Sequence, residues 1–484
     1  MTITRRDLLA GSAAVALSPI VTRADMRAMA APLPRDAEVV VIGAGAAGIA
    51  AARRIAGAGR KVVVIEAASA VGGRCITDAA AFDAPFDRGA RWLYNTETSP
   101  IAKLARGVGM EMYPAPRGQR IRIGRRNARA GESEDFLATL VRANRAMGDA
   151  VRGKADMPAA AGLPKDLGVW AGTTDFLLGA AATGKDLKDL SALDLVTMAQ
   201  RDGPSACRQG LGTLVAKLGD GLPIVLSTPV TRVVWSGRDV QVETSAGTIN
   251  AKAVIMTAST NALLSGKIKF MPELPKRQQD AASKLTLGSY DHIALELPGN
   301  PLGLSRDDIV IEQSADRSTG FLLANLGGSS LCQVDVAGSF GADLSARGEA
   351  AMVEFATDWL TKLFGADIKT IVKRTTATRW NDMPHVFGAM SAASPGGQPA
   401  RKVLMEPLGG LFFAGDAVHE TQWGTVGGAW ESGERAADAA LRKIGALKDA
   451  PVAEKSGKKP KRAQSRATAE PVEPRGRSLL WPRN

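Results

Sequence analysis

The chain has 484 residues, which allows two or three domains with large buried cores, and its composition, 45% apolar and 5% aromatic, fits a soluble protein. Half of its net charge of +12 lies in residues 450–484, where nine basic residues face three acidic ones, so the rest is only mildly basic and a nucleic-acid partner is not expected. No run of about 18 apolar residues occurs, which argues against a membrane-spanning helix.

The first residues are typical of an export signal. Residues 4–9 (Thr-Arg-Arg-Asp-Leu-Leu) resemble the twin-arginine motif, a short apolar stretch covers residues 10–20, and residues 28–30 (Ala-Met-Ala) offer a small-x-small cleavage site. We therefore predict a twin-arginine signal peptide over residues 1–31 and a periplasmic protein that is exported folded. The alternative is a cytoplasmic protein with a basic N-terminus.

A βαβ unit follows the export signal. Residues 39–42 (Val-Val-Val-Ile) predict a buried parallel strand, residues 43–48 form a G-x-G-x-x-G motif, residues 49–56 predict a helix, and residues 61–65 predict a second strand that ends at Glu66. A strand, a glycine motif, a helix, a strand and an acid in this order are typical of a dinucleotide-binding site.

Each residue of the motif has a physical role in that site. Gly43 permits the tight turn, Gly45 lets the backbone approach a pyrophosphate, and Gly48 lets the helix pack closely on the strand. The helix N-terminus presents free N–H groups to the phosphates. Glu66 lies 23 residues after Gly43, near the spacing of the acid that binds a ribose hydroxyl pair, and an acid there disfavours a 2′-phosphorylated nucleotide.

A second glycine motif points to FAD. Residues 71–74 (Val-Gly-Gly-Arg) closely match the G-G-R motif that follows the acid in amine oxidases and related FAD enzymes. Similar matches extend along most of the chain, at residues 86–93, 210–214, 229–233, 411–416 and 427–437. On these motifs, residues 37–445 resemble the flavin monoamine oxidase family.

The resemblance implies an α/β fold in which a Rossmann-type FAD-binding domain is interleaved with an α+β substrate domain. The FAD-binding domain would comprise residues 37–115, 205–265 and 395–445, and the substrate domain residues 116–204 and 266–394. Residues 446–484 are rich in Pro, Ser and Ala and poor in large apolar residues, so we predict a disordered basic tail.

The resemblance also implies which residues contact FAD. The cofactor would be bound without a covalent link, because Ala389 stands where some relatives attach it through a cysteine. The expected contacts come from the glycine motifs, the acid, the segment that passes the flavin ring, the strand at the adenine and the last strand and helix: Gly43, Gly45, Ala46, Ala47, Gly48, Glu66, Ala67, Gly73, Arg74, Gly89, Ala90, Arg91, Trp92, Val230, Trp380, Gly415, Asp416, Thr425 and Val426.

The sequence departs from the family where the chemistry takes place. The lysine that holds a water against flavin N5 in amine oxidases is replaced by His292. This histidine could hold the same water or act as a base near neutral pH, or it could be a hydrogen-bonded core residue without a chemical role. We expect all three histidines, His292, His385 and His419, to face the flavin or its pocket.

The aromatic cage that flanks the amine in many members is also altered. Met390 stands where a tyrosine is usual, and Thr425 occupies the second cage position. Trp423 is close by and could substitute, with different geometry, while Trp380 matches a tryptophan packed beside the flavin. His292, Trp380 and Trp423 are therefore the candidate catalytic residues, and Met390 and Thr425 the candidate substrate-pocket residues.

The leading hypothesis for function is transfer of a hydride from a C–N bond of an amine or amino acid to flavin, with oxygen or a periplasmic carrier as electron acceptor. The alternatives are an enzyme similar to carotenoid desaturases or porphyrinogen oxidases, which acts on C–C bonds or rings, and a flavin-binding partner protein with little catalysis. No metal is expected, and the basic tail could make weak contact with an anionic membrane surface.

Overall fold

The computed structural model describes residues 33–115, 118–153, 155–365 and 367–448. The predicted signal peptide and the predicted tail beyond residue 448 lie outside these residues. The strands are β1 (Asp36–Ile42), β2 (Val62–Ile65), β3 (Thr77–Asp78), β4 (Phe86–Asp87), β5 (Trp92–Leu93), β6 (Met112–Pro114), β7 (Arg120–Ile123), β8 (Arg126–Asn127), β9 (Ser205–Cys207), β10 (Ile224–Val225), β11 (Val230–Val234), β12 (Val240–Thr244), β13 (Gly247–Met256), β14 (Lys269–Met271), β15 (Tyr290–Glu296), β16 (Ile309–Glu312), β17 (Phe321–Leu323), β18 (Leu331–Ala337), β19 (Thr375–Ala377) and β20 (Leu411–Phe413).

The α-helices are α1 (Ala46–Gly57), α2 (Pro100–Gly107), α3 (Ala130–Val151), α4 (Ala171–Asp175), α5 (Ala181–Thr183), α6 (Ala192–Thr197), α7 (Leu211–Leu218), α8 (Thr260–Leu264), α9 (Lys276–Lys284), α10 (Gly338–Ala346), α11 (Glu349–Phe364), α12 (Ile368–Ile371), α13 (Ala400–Met405) and α14 (Val426–Lys443). A π-helical turn, Phe176–Ala180, joins α4 to α5. Among the described helices, none is both long and apolar enough to cross a membrane.

The first large sheet has eight strands in the order β10-β2-β1-β13-β12-β11-β14, with β20 also paired to β13. Its centre is parallel, because β1 pairs in parallel with β2 and β13, and β13 pairs in parallel with β20. The valines of β1 and β2 are buried on both faces, as in a sheet covered by helices on both sides. On one side the small residues of α1 pack against α14.

The second large sheet has seven strands in the order β19-β15-β18-β17-β16-β7-β8 and is mainly antiparallel. A separate hydrophobic core forms between this sheet and helices α10 and α11. The chain therefore carries two sheet systems, each with its own core, and passes between them several times. This arrangement confirms the predicted α/β fold class with interleaved units.

The local elements predicted from sequence lie close to their expected positions. Strands β1 and β2 and helix α1 begin and end within a few residues of the predicted bounds. One difference concerns the predicted end of a cofactor segment at residue 265. Strand β14 lies beyond that residue but still extends the first sheet, because Phe270 pairs in parallel with Val233 of β11.

Candidate active site

A cavity of about 680 Å³ opens at the carboxyl ends of four parallel strands of the first sheet. Its wall includes Ile42 at the end of β1, Glu66 after β2, Thr257 after β13 and Gly415 after β20. In open α/β sheets this edge is where ligands bind. The cavity continues to the second sheet, where strands β15 to β18 contribute side chains to its wall.

The first βα turn contains two glycines, Gly43 and Gly48, at which a side chain would collide with the protein. Gly43 has a φ of +106°, and a Cβ at this position would collide with the Thr257 hydroxyl. A Cβ on Gly48 would collide with the carbonyl oxygen of Gly43. The close packing between helix α1 and strand β1 therefore depends on the missing side chain of Gly48.

The N-terminus of helix α1 faces the cavity without a side-chain cap. Gly45 is the N-cap residue, and no described side chain accepts a hydrogen bond from the first turn. Gly73, with a φ of +62°, lies against Gly45, so that a Cβ on Gly73 would be 3.2 Å from the Gly45 Cα. Two glycine loops thus expose backbone N–H groups and a positive dipole end to the cavity, as a bound diphosphate requires.

The carboxylate of Glu66 is fixed at the edge of the same cavity. One of its oxygens accepts a hydrogen bond from the backbone N–H of Ala44 at 2.6 Å, and the other accepts from the N–H of Ala68 at 2.8 Å. Each carboxylate oxygen has a second acceptor position. The side chain is therefore held in place and still able to bind a pair of ribose hydroxyls.

Arg74 and Asp416 join the second glycine loop to the end of strand β20. The Arg74 guanidinium donates to Asp416 at 2.6 Å and to the carbonyl of Ala389 at 2.8 Å, while the Ser391 N–H donates to the other Asp416 oxygen at 2.9 Å. Burial alone would raise the pKa of Asp416, but the charge and hydrogen bond of Arg74 hold it below its usual value. The carboxylate is therefore ionised beside the cavity.

The loop around Gly89 is held by side chains from distant parts of the chain. Trp380 is buried, and its indole N–H donates to the Arg88 carbonyl at 2.8 Å. A Cβ on Gly89 would collide with the Arg74 carbonyl and lie 2.8 Å from the Trp380 ring. Gly89 thus allows the loop to pass between these two groups along the wall of the cavity.

His292 is buried, and both of its ring nitrogens have partners in the protein. Nε2 lies 2.9 Å from the carbonyl oxygen of Gly89, which can only accept, so Nε2 carries a proton. Nδ1 lies 2.6 Å from the Asp335 carboxylate. Burial alone would lower the pKa of His292, but the Asp335 charge and the bonds to Asp335 and Gly89 raise it above its usual value.

Asp335 is the centre of this polar group. Besides His292, it accepts hydrogen bonds from the Tyr290 hydroxyl at 2.9 Å and from the Gln333 amide at 2.7 Å. Burial raises the pKa of Tyr290 well above its usual value, and the nearby Asp335 charge adds to this effect. His292 is thus bound into a structural network, which makes it a positioning residue for the Gly89 loop more than a free base.

Nearly all of the predicted site residues border this one cavity. They are Gly43, Gly45, Ala46, Ala47, Glu66, Ala67, Gly73, Arg74, Gly89, Ala90, Arg91, Trp92, Val230, His292, Trp380, Met390, Gly415, Asp416, Thr425 and Val426. Gly48 lies behind the wall, in agreement with its packing role. Arg91 borders the cavity, but its guanidinium donates to Asp307 at 3.2 Å and to Tyr113 at 2.9 Å, so its charge is compensated within the protein.

Besides Gly48, two residues that were predicted to face the cavity lie elsewhere. Trp423 does not border the cavity; it is fully buried in a core cluster, with the guanidinium of Arg401 over its ring at 4.6 Å. It cannot flank a substrate as expected, because the loop before helix α14 turns its indole inward. His419 also lies outside the cavity wall, where its ring accepts from the Gln422 N–H at 3.0 Å and contacts Glu431 at 3.1 Å.

Several cavity residues were not predicted from sequence: Tyr94, Arg201, Tyr290, Gln333 and Asp335. A signal for two of them exists in strand β18, where Gln333 and Asp335 are two residues apart in an otherwise apolar run and so share one face. Arg201 lies in a loop outside any motif. Its position in the site follows from tertiary packing alone.

Comparisons with known proteins agree with this geometry. The family model "Flavin containing amine oxidoreductase" matches residues 163–441, and a model of the NAD(P)-binding Rossmann-like domain matches residues 41–106. Lysine-specific histone demethylase 2 from Homo sapiens is 26% identical over 443 residues, which are 84% of this chain and 54% of that protein. Polyamine oxidase 4 from Oryza sativa subsp. japonica is also 26% identical, over 84% of this chain and 89% of that protein. The chain thus spans about half the length of the demethylase.

Solved structures show the same fold. Cyclohexylamine oxidase from Brevibacterium oxydans IH-35A superposes with a TM-score of 0.71 at 21% identity, over 85% of this chain and all of that chain. Putrescine oxidase bound to putrescine superposes with a TM-score of 0.71 at 19% identity, over 84% of this chain and 99% of that chain. At these identities the likeness confirms the two-part fold.

Proposed function

The chain belongs to the flavin containing amine oxidoreductase family, with FAD as its cofactor, and from that premise we propose that it oxidises a C–N bond of a small-molecule amine. The observation that supports this reaction best is the continuity of the cavity. It begins at the Glu66 carboxylate and the N-terminus of helix α1, passes Trp380, and ends against the second sheet. One elongated cofactor and a substrate beside its far end would share this space.

The residues of the chain suit such a cofactor. Backbone N–H groups at Gly45 and Gly73 would hold the diphosphate, Glu66 the ribose, and Asp416 the ribityl hydroxyls. The first turn of helix α14 borders the cavity at Thr425 and Val426 and would favour negative charge there. Bound FAD would supply a hydride acceptor, and the released imine would hydrolyse in water.

His292 has a positioning role in this proposal. Because both ring nitrogens are hydrogen-bonded within the protein, it holds the Gly89 carbonyl and the adjoining loop in place. An amine substrate would then lose its proton to solvent before the hydride leaves. Orientation and exclusion of water are what the protein contributes.

Anaerobic bleaching of the visible flavin band by a panel of amines, amino acids and polyamines tests the proposal. Reduction by one of these classes supports C–N oxidation, and admission of oxygen then separates an oxidase from a dehydrogenase that uses another acceptor. A fully FAD-loaded protein that stays oxidised with every amine would contradict the proposal and leave C–C oxidation or a non-catalytic flavoprotein.

We also propose that the protein is exported to the periplasm, where it would pass electrons to oxygen or to a periplasmic carrier. The support is the order of motifs in residues 1–31, above all Arg5 and Arg6. Replacement of both arginines by lysine should retain the protein in the cytoplasm on cell fractionation.

The basic residues after 450 would add weak, salt-sensitive contact with anionic vesicles. Equal binding to neutral vesicles would contradict this electrostatic contact.

A further inference from the structure

Arg201 lies beside the two residues that the family resemblance places next to the substrate. It follows helix α6 and borders the cavity together with Met390 and Thr425. Its Nη2 atom is 3.6 Å from the point that a Cβ on Gly424 would occupy, and the Met390 Cβ is 3.8 Å from the same point. The guanidinium therefore lies where an aromatic cage would stand in many relatives.

The guanidinium of Arg201 has neutral partners only. Nη1 donates to the Ala182 carbonyl at 3.1 Å, Nη2 donates to the Trp423 carbonyl at 3.2 Å, and the group lies 5.5 Å from the centre of the Tyr94 ring. Nε is buried without a hydrogen-bond partner. In the described parts of the chain, no carboxylate lies within ion-pair distance of Arg201. Burial lowers its pKa, yet an arginine stays charged in proteins.

Arg401 shows how this protein treats an arginine that is purely structural. Arg401 also packs on Trp423, at 4.6 Å, and it is fully buried outside the cavity wall. It binds the Asp194 carboxylate through two nitrogens, at 2.9 and 2.7 Å. A buried cation requires such a counter-charge. Arg201 is only partly buried, and the described residues give it the same ring and no counter-charge, so a ligand in the cavity is free to supply one.

The acids around the cavity agree with an anionic ligand. Glu66 and Asp416 lie at the nucleotide end, and Asp335, at the substrate end, is occupied by His292, Tyr290 and Gln333. A diamine substrate would need a carboxylate for its second ammonium group, and none of these three acids is free to bind one at the substrate end. Apolar residues of the same wall would instead receive an apolar side chain: Leu177, Ile309, Ile311, Phe321 and Leu323.

We propose that Arg201 binds the carboxylate of the substrate, so that the amine oxidised is an amino acid with an apolar side chain. This inference rests on the proposed function. With FAD bound, the Cα–H bond would break with its hydrogen leaving as a hydride to the flavin, and the amino group would lose a proton to water. The imino acid then takes up water and releases ammonium, leaving a 2-oxo acid, while oxygen or another acceptor reoxidises the flavin.

Matched pairs of substrates test the proposal in the holoenzyme. Phenylalanine is compared with 2-phenylethylamine, and leucine with 3-methylbutylamine, as anaerobic reductants of the flavin. We expect the acids to be preferred in the wild type and Arg201→Gln to lose about 10- to 100-fold with the acids only, the size of a lost charge-assisted hydrogen bond. Arg201→Lys should keep part of the preference. Arg208→Gln, at an exposed arginine paired with Glu111, is the control.

A titration without turnover gives a second measurement. Benzoate should perturb the visible band of the oxidised flavin in a saturable way, benzamide should do so far more weakly, and Arg201→Gln should weaken benzoate binding by at least about tenfold. Flavin reduction by the amines with no preference for the acids would overturn the carboxylate proposal and leave the proposed function intact. If neither the amines nor the amino acids reduce the flavin, the proposed function fails, and loss of benzoate binding in Arg201→Gln would still support an anion site.

Discussion

At the scale of single residues, the site depends on side chains that are held in hydrogen-bond networks within the protein. His292 shows this best, since its ring joins the Gly89 carbonyl to Asp335 and so links the cofactor loop to the second sheet. The sequence identified the position but left open whether the histidine is a base or a hydrogen-bonded core residue. The hydrogen bonds favour the second interpretation, because a base needs a free nitrogen.

The raised pKa of His292 predicts a pH-dependent contribution to stability. The pKa of His292 is raised on folding, so the protonated ring stabilises the folded state. This contribution is complete at pH values below the pKa of histidine in the unfolded chain, near 6.5, and it is lost as the pH rises through the pKa in the folded protein. We expect His292→Gln to lower the free energy of unfolding by about 2 kcal/mol at pH 6, because Asp335 loses a charged partner, and by less at pH 9. Denaturant unfolding at both pH values measures the difference.

Tyr290→Phe provides the control for this experiment. It removes a hydrogen bond to the same carboxylate, but the pKa of Tyr290 is raised, so the hydroxyl stays neutral from pH 6 to pH 9. Tyr290→Phe should therefore lower the free energy of unfolding by the same amount at both pH values. A His292→Gln cost that is also equal at both would show that the ion pair with Asp335 does not form.

At the scale of elements, the sequence predicted the contiguous strands and helices but did not predict side-chain positions that depend on packing between distant segments. Strands β1 and β2 and helix α1 are contiguous, so their apolar runs and glycine spacing define them without the rest of the fold. Arg201 and Trp423 could not be placed in this way. Their side chains are directed by loops whose paths depend on packing between distant segments, and these loops bring Arg201 to the cavity and turn Trp423 away from it.

Helix α1 contains two glycines, and we expect their replacement by alanine to have opposite effects. A Cβ on Gly48 would collide with the Gly43 carbonyl, whereas a Cβ on Gly57 would meet no atom within 4 Å. We expect Gly48→Ala to lose most bound FAD, since the phosphate loop must shift, and Gly57→Ala to keep full FAD and gain up to about 1 kcal/mol. The ratio of visible to ultraviolet absorbance after purification measures the cofactor content. Full FAD content in Gly48→Ala would contradict the close packing described above.

At the scale of the whole molecule, the cavity is the place where the two sheet systems meet. Arg74 and Asp416 lie 342 residues apart in sequence, and His292 joins the second sheet to the loop at Gly89. A cofactor in this cavity would touch both units. Its binding should therefore be coupled to the stability of the entire body.

Removal of FAD is thus expected to lower the thermal midpoint. A ligand present at 100 times its dissociation constant stabilises the folded state by about 2.7 kcal/mol, and the shift should grow with free FAD concentration. Thermal unfolding of stripped and reloaded protein checks this. Equal midpoints would mean that FAD does not bind preferentially to the folded state. Asp416→Asn removes the ion pair with Arg74, so this variant should need a higher FAD concentration to reach the same thermal midpoint.

The measurement that tests the central claim most directly is the stoichiometry of a single anaerobic turnover. Fully FAD-loaded protein is mixed with a primary amine or a primary amino acid that bleaches its flavin, and released ammonium is counted against flavin reduced. C–N oxidation predicts one ammonium for each flavin. Bleaching without ammonium would show that a different bond is oxidised and would contradict the account.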